Sequence, residues 1–446
     1  MTTAPTSERP GVAPADHTDA TAGTVGTAAV EREPLGRRFT AHLASTGLSN
    51  LGDGVLQLGA PLVALTLTRS PTQVALIGAF AWLPWLVLGI AGGVLVDRTD
   101  RRRVRLAALA ARAALLAGAA AVAASGRLTM TVLLAVVLSY GVTEVVADLA
   151  GSALVPDLAP RSRLQAANSR LLAVEQVANA FLGAPLGALV LAAGTGWVFG
   201  VPAGLAVAAA AATWSIRGTY RAAVADDAEV PAGAVRRAWS DVREGLAFLW
   251  HHPVQRPLLV SAGLTNMANT AYFAVFVLWM VGDGSRVGLT AAQYALVITV
   301  LAVGAVLGSL VAEPMHRRLK DARLLCGAWM GNAVLLLVPV LVPNAWVIAA
   351  TTLLLGATNT IGNVTSQSMR QRMVPRAMLG RSAGAGRTVA FGLMPVGALL
   401  GGTVAEHAGL PTLFVGAALL ALACTVGVAL TVRQRTIDAC ELPPGA

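Results

Sequence analysis

The sequence predicts an all-α membrane protein of twelve transmembrane helices in two six-helix bundles, each bundle a nested pair of three-helix repeats, with both termini cytoplasmic. Three observations carry this. The 446 residues are 55% hydrophobic and only 13% charged, about half the charged share of an ordinary soluble domain. A window of about 19 residues slid along the chain returns twelve apolar stretches, most of them close to the roughly 20 residues that cross a hydrocarbon layer of about 30 Å. The basic residues gather in alternate loops between these stretches.

The first six spans fall at 39–68, 73–95, 104–124, 128–152, 170–193 and 196–216, the second six at 257–282, 292–312, 322–342, 345–368, 383–405 and 411–432. Even-numbered loops and both chain ends hold Arg98 to Arg105, Arg161, Arg163, Arg170, Arg217 to Arg256, Arg317 to Arg323, Arg370 to Arg387, Arg433 and Arg435, whereas odd-numbered loops offer only Arg69, Arg127 and Arg286. Excess cations mark the cytoplasmic side, so both termini belong there. Residues 1–37 are rich in Thr, Ala, Pro and Gly and lack the layout of a signal peptide; they read as a disordered cytoplasmic tail. Residues 38–216 then form the first bundle, 217–256 a cytoplasmic linker, 257–433 the second bundle and 434–446 a second tail. Within the linker, Val235, Trp239, Val242, Leu246 and Leu249 recur at three and four residues, which predicts an amphipathic helix at the membrane interface that straps the bundles together.

The formal charge of +10 is spread over short loops with no basic domain to hold a phosphate backbone, so nucleic acid is not an expected partner. The three cysteines show no CxxC spacing and the six histidines no cluster, so neither a metal nor any other cofactor is expected. The absence of GxxxxGK[ST] argues against ATP as the energy source. Lys320 is the single lysine among 33 basic residues; with the abundant alanine this fits a GC-rich bacterial genome, and hence a bacterial cytoplasmic membrane.

The halves read as copies. Asp97-Arg-Thr-Asp-Arg101-Arg102 has a decayed counterpart in Glu313-Pro-Met-His-Arg317-Arg318, Pro185-Leu-Gly-Ala-Leu189 matches Pro395-Val-Gly-Ala-Leu399, and Val155-Pro156 matches Val374-Pro375. Polarity adds a period of three helices. Span one carries Ser45, Ser49, Asp53 and Gln57 at steps of four, span four Tyr140, Glu144 and Asp148, span seven Asn266 and Asn269, and span ten Asn359, Asn363 and Gln367, while spans six and twelve are almost wholly apolar. Polar groups inside a bilayer must face protein or water. The first helix of each triplet therefore lines a central cavity and the third faces lipid.

The charged turn Gly92-Gly-Val-Leu-Val-Asp-Arg-Thr-Asp-Arg-Arg-Arg103, with the six-plus-six spans and the decayed copy, resembles the cytoplasmic signature of the major facilitator superfamily over residues 38–433. Leu51-Gly-Asp-Gly54, Val155-Pro-Asp-Leu and Glu244-Gly-Leu-Ala-Phe-Leu are similar to the branch of bacterial siderophore and macrolide exporters. Asp100 stands where that signature usually has Gly. The resemblance implies that Gly93 permits close helix approach, that Asp97 faces a helix N-terminus, and that Arg98, Arg101 and Arg102 latch carboxylates of a moving half, with Asp148 the partner of Arg101. It also implies a monomeric, proton-coupled exporter of an amphipathic small molecule such as a drug, siderophore or natural product, working by alternating access and not an enzyme. Proton-coupled uptake or uniport of a metabolite is the alternative, and a non-transporting scaffold on the same fold the remoter one.

Two ionisable questions remain inside the spans. Arg112 and Glu144 both lie about 12–13 Å from the cytoplasmic face at 1.5 Å per residue, so they form a structural pair or else pass a proton. Asp53 has no evident partner near mid-membrane: it either carries the coupling proton, with Glu144 the next candidate, or hydrogen-bonds a neighbouring helix.

Overall fold

The computed structural model describes residues 35–221 and 234–441, with the side chains of 90–95, 97, 98, 234–238, 376 and 377 outside that description. Helix starts follow local chemistry. Ser70, Asp100, Thr129 and Asn344 each accept a backbone N–H from the first turn that follows, and Thr290 with Gln293 forms a reciprocal capping box. The cap on Asp100 explains why an acid stands where glycine is usual: its Oδ1 accepts from Arg103 N at 3.1 Å.

These caps divide the chain into α1 (Arg37–Leu67), α2 (Pro71–Arg98), α3 (Arg101–Ala124) and α4 (Met130–Leu158). Then come α5 (Leu164–Gln176, a π-helical segment Val177–Gly183, and Ala184–Ala193) and α6 (Thr195–Ser215). After the linker helix, Ala234–His251, follow α7 (Gln255–Met280), α8 (Ala291–Arg318), α9 (Asp321–Leu335), α10 (Ala345–Met373), α11 (Arg376–Gly392 and Met394–Ala408), α12 (Leu410–Thr431) and a tail helix, Gln434–Cys440. Among the described residues no strand forms beyond one isolated bridge, Val281 to Leu289. Ten helices among the described residues are long and apolar enough to cross a membrane. The two long helices that miss this criterion, α1 and α7, are the ones whose polar stripes lower their hydropathy.

The helices meet through glycine. A Cβ on Gly54 would stand 2.3 Å from the Asn179 carbonyl oxygen and 2.8 Å from Gly183 Cα, and one on Gly187 3.0 Å from the Val55 carbonyl, so α1 and α5 touch backbone to backbone. The second half repeats the device: a Cβ on Gly397 would stand 2.2 Å from the Met267 carbonyl, joining α11 to α7. Gly187 and Gly397 are the same position of the duplicated Pro-x-Gly-Ala-Leu sequence, so the copy seen in sequence performs one packing task twice.

The halves are stitched at their odd-loop ends. Glu406 of α11 accepts from Ser70 Oγ at 2.7 Å and Thr72 N at 3.1 Å, placing a carboxylate at the N-terminus of α2, and Arg69 Nη1 donates to the Val281 carbonyl at 3.2 Å. At the other end the linker helix lays Val242, Leu246, Phe248 and Leu249 against Leu259 and Val389. Arg381 of α11 holds Asp241 and Glu244, each at 3.0 Å. The linker is thus packed on α7 and α11 rather than lying free at an interface.

Gly54→Ala should destabilise the protein by about 1–3 kcal/mol, the usual cost of overpacking, whereas Gly118→Ala, which meets nothing within 4 Å, should not. Thermal unfolding in detergent checks this; equal midpoints for the two variants would refute the close approach.

Candidate substrate cavity and coupling site

The close approach of α1 to α5 brings the polar stripe of α1 to the plane between the halves, where two cavity lobes of 380 and 500 Å³ share Gln57, Asn179, Asn269 and Phe273. Trp82, Trp85, Tyr140 and Glu144 line the first lobe, and Tyr294, Asn332 and Asn359 the second. Among the described residues none of α3, α6 or α12 lines either lobe, but α9, also third in its triplet, reaches the second lobe through Asn332, so the triplet rhythm fails at that helix. Of the predicted lining residues, Gln57, Tyr140, Asn266, Asn269 and Asn359 are in place. Two are not. Ser49 is buried beside the cavity and Asn363 is exposed, donating to Asn359 Oδ1 at 2.9 Å.

At the wall of the first lobe lies a buried ion pair. Arg112, 1% exposed, places Nη1 2.9 Å from Asp53 Oδ1 and 2.7 Å from Ser49 Oγ, while its Nε donates to Thr143 Oγ1 at 3.3 Å. The Tyr140 hydroxyl donates to the same Asp53 oxygen, and the Tyr140 ring stands 4.7 Å from the guanidinium. Arg112 therefore pairs with Asp53, not with Glu144 as equal depth suggested, and Asp53 is not the partnerless carboxylate that the sequence implied. Among the described residues Glu144 makes no ion pair; it is half-buried and faces the cavity. The arrangement supplies one neutralised carboxylate, one unpaired carboxylate and aromatic faces at the same wall, which suits reversible protonation next to an amphipathic guest.

A second buried cation lies on α3 nearer its N-terminus. Arg105, counted with the even-loop cations although it falls just inside span three, is buried and donates to the Ala147 carbonyl and Thr46 Oγ1, each at 3.1 Å. Gly151 makes the room, since a Cβ there would lie 1.8 Å from Arg105 Nη1. His42 is buried beside it. The only sequence signal for this was the pairing of Ser45 and Thr46 with a glycine in span four. Asn179 was also missed. It lies in the π-helical segment, a distortion that often marks functional sites and has no compositional signature.

The family described as transmembrane secretion effector matches residues 34–445. The chain belongs to this major facilitator family. Over 91% of its length this facilitator is 26% identical to the multidrug efflux pump Tap of Mycobacterium tuberculosis, covering 95% of that protein. It is 37% identical to an uncharacterised MFS-type transporter of the same organism over 30% of this chain, a match that spans only 31% of that relative's length. Two solved structures share the fold. One is a bacterial homologue of the human lysosomal transporter Spinster, inward-facing and unoccupied, at TM-score 0.68 and 14% identity over 93% of this chain and 100% of that one. The other is a bacterial homologue of the iron transporter ferroportin, inward-facing, at TM-score 0.68 and 16% identity over 89% and 100%. The protein is a multi-pass membrane transporter, not an enzyme.

The facilitator's loop signature departs from the expected latch. Arg101 pairs with Asp157 at 2.8 Å, not with Asp148, and its backbone N–H reaches the Tyr220 carbonyl. Arg102 donates to the Trp214 carbonyl at 2.7 Å and the Thr213 carbonyl at 3.4 Å, closing the C-terminus of α6. Both arginines therefore bind their own half. The side chains of Asp97 and Arg98 and the surroundings of Gly93 lie outside the description.

Removing either member of a buried ion pair costs about 3–5 kcal/mol because the other is left uncompensated. Asp53→Asn and Arg112→Gln should each lower the yield of folded protein, and the double variant should recover it. Glu144→Gln combined with Arg112→Gln should not. Rescue by Glu144→Gln instead, measured by size-exclusion yield, would restore the sequence-based pairing.

Proposed function

We propose that the protein exports an amphipathic small molecule in exchange for protons by alternating access. The observation that carries this reading is the inter-half cavity, in which Trp82, Trp85 and Phe273 face a buried Asp53–Arg112 pair and the unpaired Glu144. Aromatic walls take an apolar body, carboxamides such as Asn269 orient it, and a carboxylate in a partly desolvated site can hold or release a proton as its surroundings change. Similarity to a multidrug efflux pump over nine-tenths of the chain supports export as the direction.

In this reading α1 and α7 cross the membrane with the other ten helices, giving twelve spans, and the 31 and 26 residues of α1 and α7 are long enough. Residues 38–216 and 257–433 rock as two bodies, both termini lie in the cytoplasm of a bacterium, and the monomer is the working unit. Asp53 and Glu144 are the coupling carboxylates. Protonation of Asp53 would release Arg112 towards Glu144, which stands in the same wall. The loop residues Gly93, Asp97, Arg98, Arg101 and Arg102, with Asp148 nearby, form the cytoplasmic end that must rearrange when the cavity changes sides.

Inside-out vesicles energised to an acid interior test the proposal. Addition of amphipathic antibiotics one at a time should dissipate the pH gradient for at least one compound, and Glu144→Gln should reduce that response at least tenfold at equal expression. A strain lacking the gene should accumulate the same compound. Lower accumulation in that strain would mean uptake, and an undiminished response of Glu144→Gln would move coupling away from this carboxylate.

A further inference from the structure

The even-loop end of the second half carries a further cavity that shares no lining residue with the two central lobes, 510 Å³ in volume, at the turn between α8 and α9. Four cations line it, Arg317, Arg318, Lys320 and Arg372, against a single carboxylate, Asp321. That carboxylate is already engaged: Oδ1 meets His316 Nδ1 at 3.2 Å and Oδ2 meets the Arg372 guanidinium. Arg372 also meets Glu441 at 2.7 Å, and Arg317 meets Glu313 one turn back on α8 at 2.6 Å. Among the described residues Arg318 and Lys320 face no carboxylate, and both are exposed.

The cavity is walled from several elements. Gln434 of the tail helix accepts from Ala322 N at 3.2 Å, and Ile437 is fully buried against Val254, Leu325, Met369 and Met373, so the tail helix forms a fixed side of the cavity. A topological excess of cations requires only their presence in a loop; it does not require a walled recess. Approaching the cavity along α8, Leu307, Leu310, Val311 and Pro314 are exposed at helical spacing, on a helix apolar enough to cross a membrane. An apolar stripe that ends in uncompensated cations matches the outline of a phospholipid, with acyl chains along the stripe and the phosphate at its end.

We propose that this cavity binds the phosphodiester headgroup of an anionic glycerophospholipid whose chains lie along the exposed face of α8. Phosphate chemistry is shared with soluble phosphate, and the apolar stripe selects the lipid.

Lys320 is the only lysine in the chain, so amine acylation followed by peptide mass spectrometry reads this cavity directly. The full-length protein would be placed in nanodiscs of phosphatidylcholine, with and without phosphatidylglycerol. The variant Arg161→Lys supplies a reference lysine on an exposed even-numbered loop of the other half. Phosphatidylglycerol should slow acylation at position 320 several-fold while position 161 changes little, and Arg318→Gln should abolish the selective protection. Equal slowing at both positions would reflect surface potential alone and overturn the proposal, as would no slowing at either. Protection by inorganic phosphate in pure phosphatidylcholine nanodiscs, to the same extent, would assign the cavity to soluble phosphate and overturn the lipid.

Discussion

A guanidinium buried among helices must be paired, and Arg112 imposes that requirement on three helices at once. Its charge costs several kcal/mol to remove from water unless neighbours compensate it. Asp53 and Ser49 come from α1, Thr143 and the Tyr140 ring from α4. These contacts need α1 to present its four-residue polar ladder towards α3, which in turn needs α5 to approach α1 from the other side. Gly54 and Gly183 allow that approach. The glycines and the ion pair are thus two halves of one constraint on the rotation of α1, and that rotation decides which α1 residues reach the cavity.

The strength of contacts within a half contrasts with the seam between halves. Within the first half, ionic and backbone contacts join α1, α3, α4 and α6 at three levels: Arg112, Arg105 and the Arg101–Arg102 turn. Between the halves the polar contacts described are peripheral, at Glu406 and Arg69, with Trp82 and Phe391 5.7 Å apart near the cavity. Exposed hydrogen bonds of this kind are individually worth little. The rest of the seam is apolar and close-packed, a Cβ on Gly402 of α11 standing 2.6 Å from Ala75 of α2; in the proposed rocking cycle the linker, packed on α7 and α11, would travel with the second half.

Much of this architecture was legible. Hydropathy locates helices because burial of apolar side chains in lipid is a local demand. The triplet rhythm was readable because polar side chains in a bilayer have few places to go. Partner choice was not. Residue counting gives the height of Arg112 and Glu144 along their helices but not their azimuth, and Asp53 wins through the rotation of α1. The enclosure of Arg105 is not readable, because hydropathy does not distinguish a cation at a helix end that snorkels from one that is enclosed, and the enclosure depends on the missing side chain of Gly151. The π-helical turn that carries Asn179 arises from tertiary packing and leaves no trace in composition.

The two halves share a packing scheme but not a chemistry. Among the described residues the buried acids, histidine and arginines, His42, Asp53, Asp100, Arg105 and Arg112, all belong to the first half, whereas the buried polar residues of the second include the neutral Gln255, Ser261 and Asn332. In the proposed cycle this division has a consequence. A proton that binds near Asp53 alters charge balance on one side of the cavity only, while the second half offers carboxamides and hydroxyls that bind a guest equally well in either protonation state. Coupling then depends on the guest touching both walls at once, so that its binding energy and the proton's bear on the same movement of one rigid half against the other.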